Sequence, residues 1–396
     1  MNKNIKSYDY IIIGASKAGL TAATVLRERL GDSSILLING EDRLPYKRTA
    51  LTKHLATGFA RDDFTLYPES WFEEQRIMLV STVVLNINPL ARTLVCSDGQ
   101  SFSWGSLLLA TGALPFQIPI PGSQWLRYLR TASDTEAIRE QLVKSRRVVI
   151  LGQGVEGVEL AEQCRRIGLD VTLTGRDSRL MQHWLDEALS ARLQALLEDR
   201  GIRCHFDQSP VAVVKEADGY TLSCQTKQFH GDMILASTGI RGNPSLAREL
   251  GIYGETGILV DAYCRTSQPG IYAAGDAVQT PSGWPTGLWH WAEYQGNLAA
   301  LNMAGQKEAL ENAPTRLKCE PFGQFLYSMS YQEVGSSDDS KLFMDDPSGY
   351  LRIFSRRGRS IAALMEGLGK GVSKILDEGI KTGDSPEALF KALQKE

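Results

Sequence analysis

Cysteine is sparse and scattered in this chain. The six residues, Cys96, Cys164, Cys204, Cys224, Cys264 and Cys319, form no Cys-x-x-Cys and no pair close in sequence. Such spacing indicates neither a zinc site nor a sequence-local redox disulfide, and reduced thiols spread through cores and strands are expected. A strong charge is missing as well: the formal net charge of −3 argues against a nucleic-acid binder, which would usually be basic. No uninterrupted apolar run is long enough to span a bilayer. The opening Met1-Asn2-Lys3-Asn4-Ile5-Lys6-Ser7 carries no signal-peptide pattern, so a cytoplasmic location is expected. What remains is an ordinary globular composition, 43% hydrophobic and 22% charged over 396 residues, sufficient for two or three domains with their own cores.

The informative features are two glycine-rich turns. Tyr10-Ile11-Ile12-Ile13-Gly14-Ala15-Ser16-Lys17-Ala18-Gly19 is an apolar strand breaking into such a turn, and Val148-Val149-Ile150-Leu151-Gly152-Gln153-Gly154-Val155-Glu156-Gly157 is another. Each feeds an amphipathic helical stretch. In this arrangement the first Gly permits the bend, the second admits a pyrophosphate close to backbone, and the third lets helix and strand pack closely. The pyrophosphate sits at a helix N-terminus, where unpaired N–H groups and the dipole favour an anion. One such turn is a weak signal. Two in one chain imply two nucleotides bound together, with electrons passing between them.

The remaining pattern alternates strand and helix. Ile35 to Ile38 is a strand, Leu79 to Ile87 and Arg92 to Cys96 read as an antiparallel pair around Asn88-Pro89, and Leu107-Leu108-Leu109-Ala110-Thr111-Gly112 returns as an apolar strand. Proline and glycine from Pro115 to Gly122 mark a linker. The order then repeats: strand Val171 to Leu173, helix Asp186 to Asp199, a meander over Val211 to Cys224, and Met233-Ile234-Leu235-Ala236-Ser237-Thr238-Gly239. Gly270-Ile271-Tyr272-Ala273-Ala274-Gly275-Asp276 is a strand whose Asp leaves its carboxyl end. We therefore expect an α/β protein with two Rossmann-like dinucleotide-binding domains, the second inserted in the first. The first covers 1–116 and 240–312, the second 117–239, and a small α+β domain occupies 313–396.

These residues resemble the FAD-dependent pyridine nucleotide oxidoreductases, in particular the rubredoxin, ferredoxin and putidaredoxin reductase branch. Besides both glycine turns, the resemblance rests on Leu44-Pro45-Tyr46-Lys47-Arg48 with Leu51-Thr52-Lys53, Ala110-Thr111-Gly112, Glu159-Leu160-Ala161, Ala273-Ala274-Gly275-Asp276, and Trp289 with Gln295-Gly296-Asn297. It covers nearly the whole chain and is loosest over the C-terminal domain. It implies FAD at the first turn, held by Gly14, Ser16, Ala18, Gly19, Glu41, Arg48, Val84, Ala110, Thr111, Gly112, Gly275, Asp276 and Trp289. Ser16 replaces the middle Gly, a small-residue variant familiar among such reductases. Glu41 would meet the adenosine ribose hydroxyls, with a solvated surface Glu as the alternative. Asp276 would accept a hydrogen bond from the ribityl chain or cap the next helix. Trp289 would pack near the flavin, whereas Trp284 and Trp291 read equally as packing.

The resemblance also implies that Lys53 lies by the flavin N5 edge, faced by Glu159 near the nicotinamide. A cation there stabilises the charge of reduced flavin, and the carboxylate keeps it placed. The plain alternative is an exposed Lys and an ordinary helical Glu. Disulfide reductases of this superfamily carry reactive cysteine in the stretch matching Pro45 to His54, which here has none. The flavin itself must then hand on its electrons.

The second nucleotide would be held by Gly152, Gly154, Val155, Glu156, Gly157, Glu159, Gly175, Arg176 and Gly239. After the strand ending at Thr174 an NAD site usually carries a ribose-binding carboxylate. Here Gly175 stands there, followed by Arg176 and then Arg179. That favours NADPH, with NADH open through the nearby Asp177. The expected activity is transfer of electrons from NAD(P)H through FAD to a small rubredoxin- or ferredoxin-like carrier, with no metal site. Arg43, Lys47 and Arg48 could attract an acidic carrier or contact FAD phosphates. Direct reduction of a quinone, another small molecule or O₂, or a slow-turnover signalling role of the apoptosis-inducing-factor kind, are the alternatives.

Overall fold

The computed structural model describes residues 5–279, 287–310, 314–331 and 333–394; Trp284 and Ala313 lie outside them. The chain divides into two compact units. One comprises Met1–Leu51, Phe59–Phe116 and Gly239–Glu311, and the other Thr52–Gly58, Gln117–Thr238 and Asn312–Glu396.

In the first unit, β1 (Lys6–Ile13) leads through the first glycine turn into α1 (Lys17–Leu30) and β2 (Ile35–Asn39). A short α2 (Glu69–Glu74) precedes β3 (Ile77–Ser81), β4 (Val84–Asn88), β5 (Thr93–Cys96), β6 (Ser101–Leu109) and β7 (Ala113–Pro115). The second unit then supplies α3 (Ala132–Leu142), β8 (Arg147–Leu151), α4 (Val155–Arg166), β9 (Asp170–Thr174), α5 (Glu187–Asp199) and β10 (Ile202–His205). A meander of β11 (Pro210–Glu216), β12 (Gly219–Cys224) and β13 (Gln228–Gly231) precedes β14 (Met233–Ala236). The chain returns to the first unit with β15 (Ile240–Gly242), α6 (Ser245–Glu249), β16 (Ile271–Ala273) and α7 (Trp289–Met303). It ends in the second unit with β17 (Thr315–Cys319), β18 (Leu326–Ser330), β19 (Asp339–Asp346), β20 (Gly349–Arg356), β21 (Arg359–Glu366), α8 (Gly369–Thr382) and α9 (Pro386–Leu393).

The first unit is built on a seven-stranded sheet in the order β3-β2-β1-β6-β5-β4, with β16 paired to the Leu107–Leu109 end of β6 beyond the stretch that β5 pairs. Strands β3, β2, β1, β6 and β16 run parallel, with Ile11 level with Leu36 and Leu107. Their apolar runs are buried on both faces, as parallel strands covered by helices must be: Ile11 packs into one core and Ile12 into the opposite one with α1 and α7. The segment Leu79 to Ile87 departs from the sequence expectation of one strand. It splits into β3, parallel to β2, and β4, antiparallel to β5. The break falls at Thr82 and Val83: Thr82 N still donates to Asn39 O at 2.9 Å as the last bond of the parallel ladder, whereas Val83 O accepts from Ser97 N at 2.8 Å, just past β5.

The second unit repeats the motif with a four-stranded parallel sheet, β10-β9-β8-β14, and the three-stranded meander. Asp186 caps α5 through Leu189 N, and Thr131 with Asp134 forms a capping box on α3. The C-terminal strands form a five-stranded sheet, β17-β18-β21-β20-β19, wholly antiparallel, over a core including Tyr327, Leu351, Met365 and Leu376. Polar contacts fix this sheet to the loop and helix around α5: Ser328 Oγ donates to Trp184 O at 2.7 Å, and Arg192 Nε to Glu366 Oε2 at 2.6 Å. No helix among the described residues is long and apolar enough to cross a membrane.

Candidate functional site

The first glycine turn is closed by backbone. Gly14 has φ +107°, and a Cβ there would lie 2.1 Å from Ala110 O; a Cβ on Gly19 would lie 1.8 Å from Gly14 O. Neither contact can be relieved by rotating a side chain, so hydrogen is the one substituent that fits. Ser16 begins α1 without a side-chain cap, and no acid lies in the first helical turn. The N–H groups that a helix leaves unpaired at its start therefore meet no protein carboxylate on that turn, which suits a phosphate. Ala18 is buried beneath α7, where a Cβ on Gly296 would approach Ala18 O to 2.3 Å.

At the carboxyl end of β2, Asn39 organises the following loop, its Nδ2 donating to Glu41 O at 3.1 Å and Arg43 O at 2.7 Å. Glu41 is held on both oxygens: Tyr46 Oη donates to Oε2 at 2.8 Å, and Arg48 pairs with Oε1. Arg48 also lies over the Tyr46 ring, 5.3 Å from its centroid. Ala15, Ser16 and this group line a small crevice. Of the three basic residues expected to attract a carrier, Arg43 and Arg48 are half-buried and Lys47 is exposed.

The other residues assigned to this site fall as follows. Ala110 N donates to Ile13 O at 2.8 Å, which brings Ala110-Thr111-Gly112 beside the turn. Asp276 is half-buried in the short turn after β16, where Gly275 N donates to Gln295 Oε1 at 2.8 Å. Trp289 is the first residue of α7; Lys17 lies 5.7 Å from its ring centroid and pairs with Glu293 at 2.6 Å. Val84 packs with Leu94 and Cys96 in the core, so only its backbone is available to a ligand. Tyr46, Lys17 and Gln295 were not singled out by sequence reasoning. Their signal is proximity to a motif, which spacing alone does not provide.

The second turn has the same construction. Gly152 and Gly157 are closed by Ser237 O and Gly152 O, each 1.9 Å from an added Cβ, whereas nothing lies within 4 Å of one on Gly154. The middle position is open, as an approaching pyrophosphate requires. Gly154 begins α4, and Val155 and Glu156 form its first turn. Ser237 Oγ donates to Glu156 Oε2 at 3.0 Å, and burial pushes the Glu156 carboxyl up to about 7. One turn along, Glu159 accepts a hydrogen bond from Thr52 and pairs with Lys53 Nζ at 3.5 Å. Burial raises the Glu159 carboxyl above its ordinary range, opposed by Thr52 and Lys53. Gly239, with φ +92°, follows β14 and accepts from Phe116 N at 2.9 Å.

The loop after β9 shows why an acid is missing there. An added Cβ on Gly175 would lie 2.3 Å from Gln153 Oε1. Gln153 is itself buried and clamps the loop, with Nε2 donating to Asp177 O at 2.7 Å and Arg179 O at 2.9 Å. Arg179 is occupied by Leu185 O and Gln182 O. Arg176 points outward, its side chain 77% exposed and 3.6 Å from Asp177.

The sequence profile of the pyridine nucleotide-disulphide oxidoreductase family matches residues 8–296. The chain belongs to this family. It is 31% identical over 390 residues to the anthranilate 1,2-dioxygenase system ferredoxin–NAD(+) reductase component of Burkholderia cepacia, covering 92% of both chains. It is 31% identical to a rubredoxin-NAD(+) reductase of Pseudomonas putida, over 67% of this chain and 71% of that one. Among solved structures, a ferredoxin reductase from Rhodopseudomonas palustris matches with TM-score 0.82 at 24% identity, over 91% of each chain. The covalent putidaredoxin reductase–putidaredoxin complex matches with TM-score 0.83 at 22% identity, over 100% of each chain. The last two likenesses establish the fold.

This pyridine nucleotide-disulphide oxidoreductase has no disulfide. All six cysteines are free, and burial pushes every thiol up to about 11 or 12. Cys319 is within electrostatic reach of Glu159 and Lys53, yet its thiol stands at about 12. A thiol so raised is protonated at neutral pH and is neither a nucleophile nor a ready metal ligand.

Proposed function

We propose that the chain takes electrons from NAD(P)H onto FAD and passes them to a small rubredoxin- or ferredoxin-type protein. The observation that carries this reading is the presence of two dinucleotide turns in a chain whose cysteines are all free, with every thiol pushed up to about 11 or 12. The two relatives described above are named as reductases of this kind, and 31% identity over most of the chain supports the same class of acceptor. We assign FAD to the domain made of 1–116 and 240–312 and the coenzyme to 117–239, with 313–396 a separate α+β domain. FAD, when bound, accepts a hydride and releases electrons singly, which suits a two-electron donor and a one-electron carrier.

The chain's own residues hold and charge that site. Gly14, Gly19 and Ser16 would bring backbone to the FAD pyrophosphate, with Glu41 at the ribose and Asp276 at the ribityl chain. Lys53 provides a cation, and Glu159 with Thr52 fixes where it stands. A half-exposed pair at 3.5 Å contributes about 1 kcal/mol or less to stability, so its value lies in position. Gly175 and Arg176 support NADPH as the preferred coenzyme.

Glu159→Ala is expected to bind a normal complement of FAD while its flavin is reduced about tenfold more slowly, the usual order for losing one positioned charge. Anaerobic stopped-flow absorbance with NAD(P)H measures this. Reduction and coenzyme binding at wild-type levels would remove Glu159 from the site. A panel of purified rubredoxins and ferredoxins, with quinone and O₂ as competitors, tests the acceptor. Turnover confined to quinone or O₂ overturns the carrier assignment.

A further inference from the structure

Glu156 is a carboxyl that electron transfer to a carrier does not by itself require, and it stands in the second glycine turn. The sheet order β10-β9-β8-β14 places the loop after β9 on one side of the β8–α4 turn and Ser237 on the other. If the adenosine ribose is read after β9, as in Rossmann-like sites, the nicotinamide end lies toward Ser237. Glu156 is tied to that side by Ser237 Oγ at 3.0 Å, and Glu159, which meets Thr52 and Lys53, lies one turn along the same helical face.

Among the described residues, the charged groups that act on Glu156 are Arg130 and Glu159. Burial pushes the Glu156 carboxyl up to about 7 against the Ser237 hydrogen bond and Arg130, which draw it down, and Glu159 adds to the rise. Beyond Glu159 stands Lys53. Tyr128, hydrogen-bonded to Thr238, is raised above the ordinary phenol range and stays neutral. A carboxyl at an α-helix N-terminus ordinarily ionises easily. Burial here has overturned that preference, so a small change in nearby charge decides its state.

We propose that Glu156 makes the protein's choice between oxidised and reduced coenzyme proton-linked. This rests on the second turn being the coenzyme site. The oxidised nicotinamide ring is cationic and the reduced ring neutral. An ionised Glu156 therefore favours the oxidised coenzyme, and a protonated one removes that advantage. Binding NAD(P)+ lowers the Glu156 pKa and releases a proton. As pH rises through neutrality, the ratio of oxidised to reduced affinity rises and then levels off.

The test uses the FAD-loaded protein, titrated calorimetrically with NADP+ or NAD+ and with the matching 1,4,5,6-tetrahydronicotinamide analogue. The analogue's ring is neutral and gives no hydride. Between pH 6 and 8 the oxidised-to-analogue affinity ratio is expected to rise about tenfold, the equivalent of one unit of pKa displacement. Titration in two buffers of different ionisation enthalpy should show proton release with the oxidised coenzyme. Glu156→Gln should flatten the ratio near its pH 6 value and abolish the release, while Glu159→Gln, which removes a charge that raises Glu156, should keep the rise but move it to lower pH. A flat wild-type ratio overturns the proposal, as does a Glu156→Gln variant with the wild-type slope. Absence of any coenzyme binding overturns the assignment of the second turn, and this inference with it.

Discussion

Gly14→Val is expected to yield protein without flavin, whereas Gly154→Leu is expected to stay yellow and lose coenzyme binding. At Gly14 even the first added carbon lies 2.1 Å from the carbonyl oxygen of Ala110, and φ is +107°, a conformation a β-branched residue does not adopt. The turn must move, and with it the start of α1, whose N–H groups are offered to the pyrophosphate. A displacement costing about 4 kcal/mol at the site lowers affinity about a thousandfold. Gly154 is different, because nothing lies within 4 Å of an added Cβ. Its side chain would enter space left for the ligand without disturbing the protein. Absorbance after gel filtration, followed by chromatography of the heat-released flavin, reads the first result, and calorimetry with NAD(P)H analogues reads the second. Free FAD should be released from wild type on denaturation, since nothing near the first turn resembles an attachment motif. FMN in its place, or a flavin-replete Gly14→Val, would mean that the turn does not hold FAD.

The two turns were legible because their chemistry is local. Gly14 and Gly19, or Gly152 and Gly157, are fixed by backbone only a few residues away or by the next parallel strand, and that constraint leaves glycine visible in sequence. The antiparallel excursion was legible from Asn88-Pro89, but not the break between β3 and β4. Leu79 to Ile87 is continuously strand-like, and it is divided only where the partner changes from Asn39, met by Thr82, to Ser97, met by Val83. Glu156 was readable as a turn residue and not as a titrating one. Its raised carboxyl is a product of burial, opposed by Ser237 and Arg130, and burial in the folded chain is not written in the turn's own residues. Glu41 likewise could not be separated from a solvated Glu until Tyr46 and Arg48 were found on its two oxygens. Gly175 stands out in sequence as a missing acid. That the Gln153 side chain fills the space beside it is a tertiary fact.

NADPH is expected to give a higher kcat/KM than NADH, and Arg176→Ala is expected to remove the preference mainly through KM. The loop after β9 supplies the argument. No carboxylate can stand at Gly175 while Gln153 Oε1 lies 2.3 Å from its Cβ position, so the usual repulsion of a 2′-phosphate is absent. Arg179 is held by two backbone carbonyls within the loop and is not offered to a ligand. Arg176 is offered: its guanidinium is 77% exposed, and its contact with Asp177 at 3.6 Å is too long to fix it. A charge-assisted contact to a phosphate contributes about 1.5–3 kcal/mol, or roughly ten- to a hundredfold in specificity. The relatives carrying NAD(+) in their names set the opposing expectation. Asp177 provides its physical basis, as a carboxylate two residues beyond Gly175 that could accept from a ribose hydroxyl. Steady-state kinetics with both coenzymes on wild type and Arg176→Ala separates the two. The double change Gln153→Gly with Gly175→Asp should reverse the preference toward NADH by opening room for the missing acid. A wild-type preference for NADH, or an Arg176→Ala variant indistinguishable from wild type, would leave the phosphate without its proposed ligand.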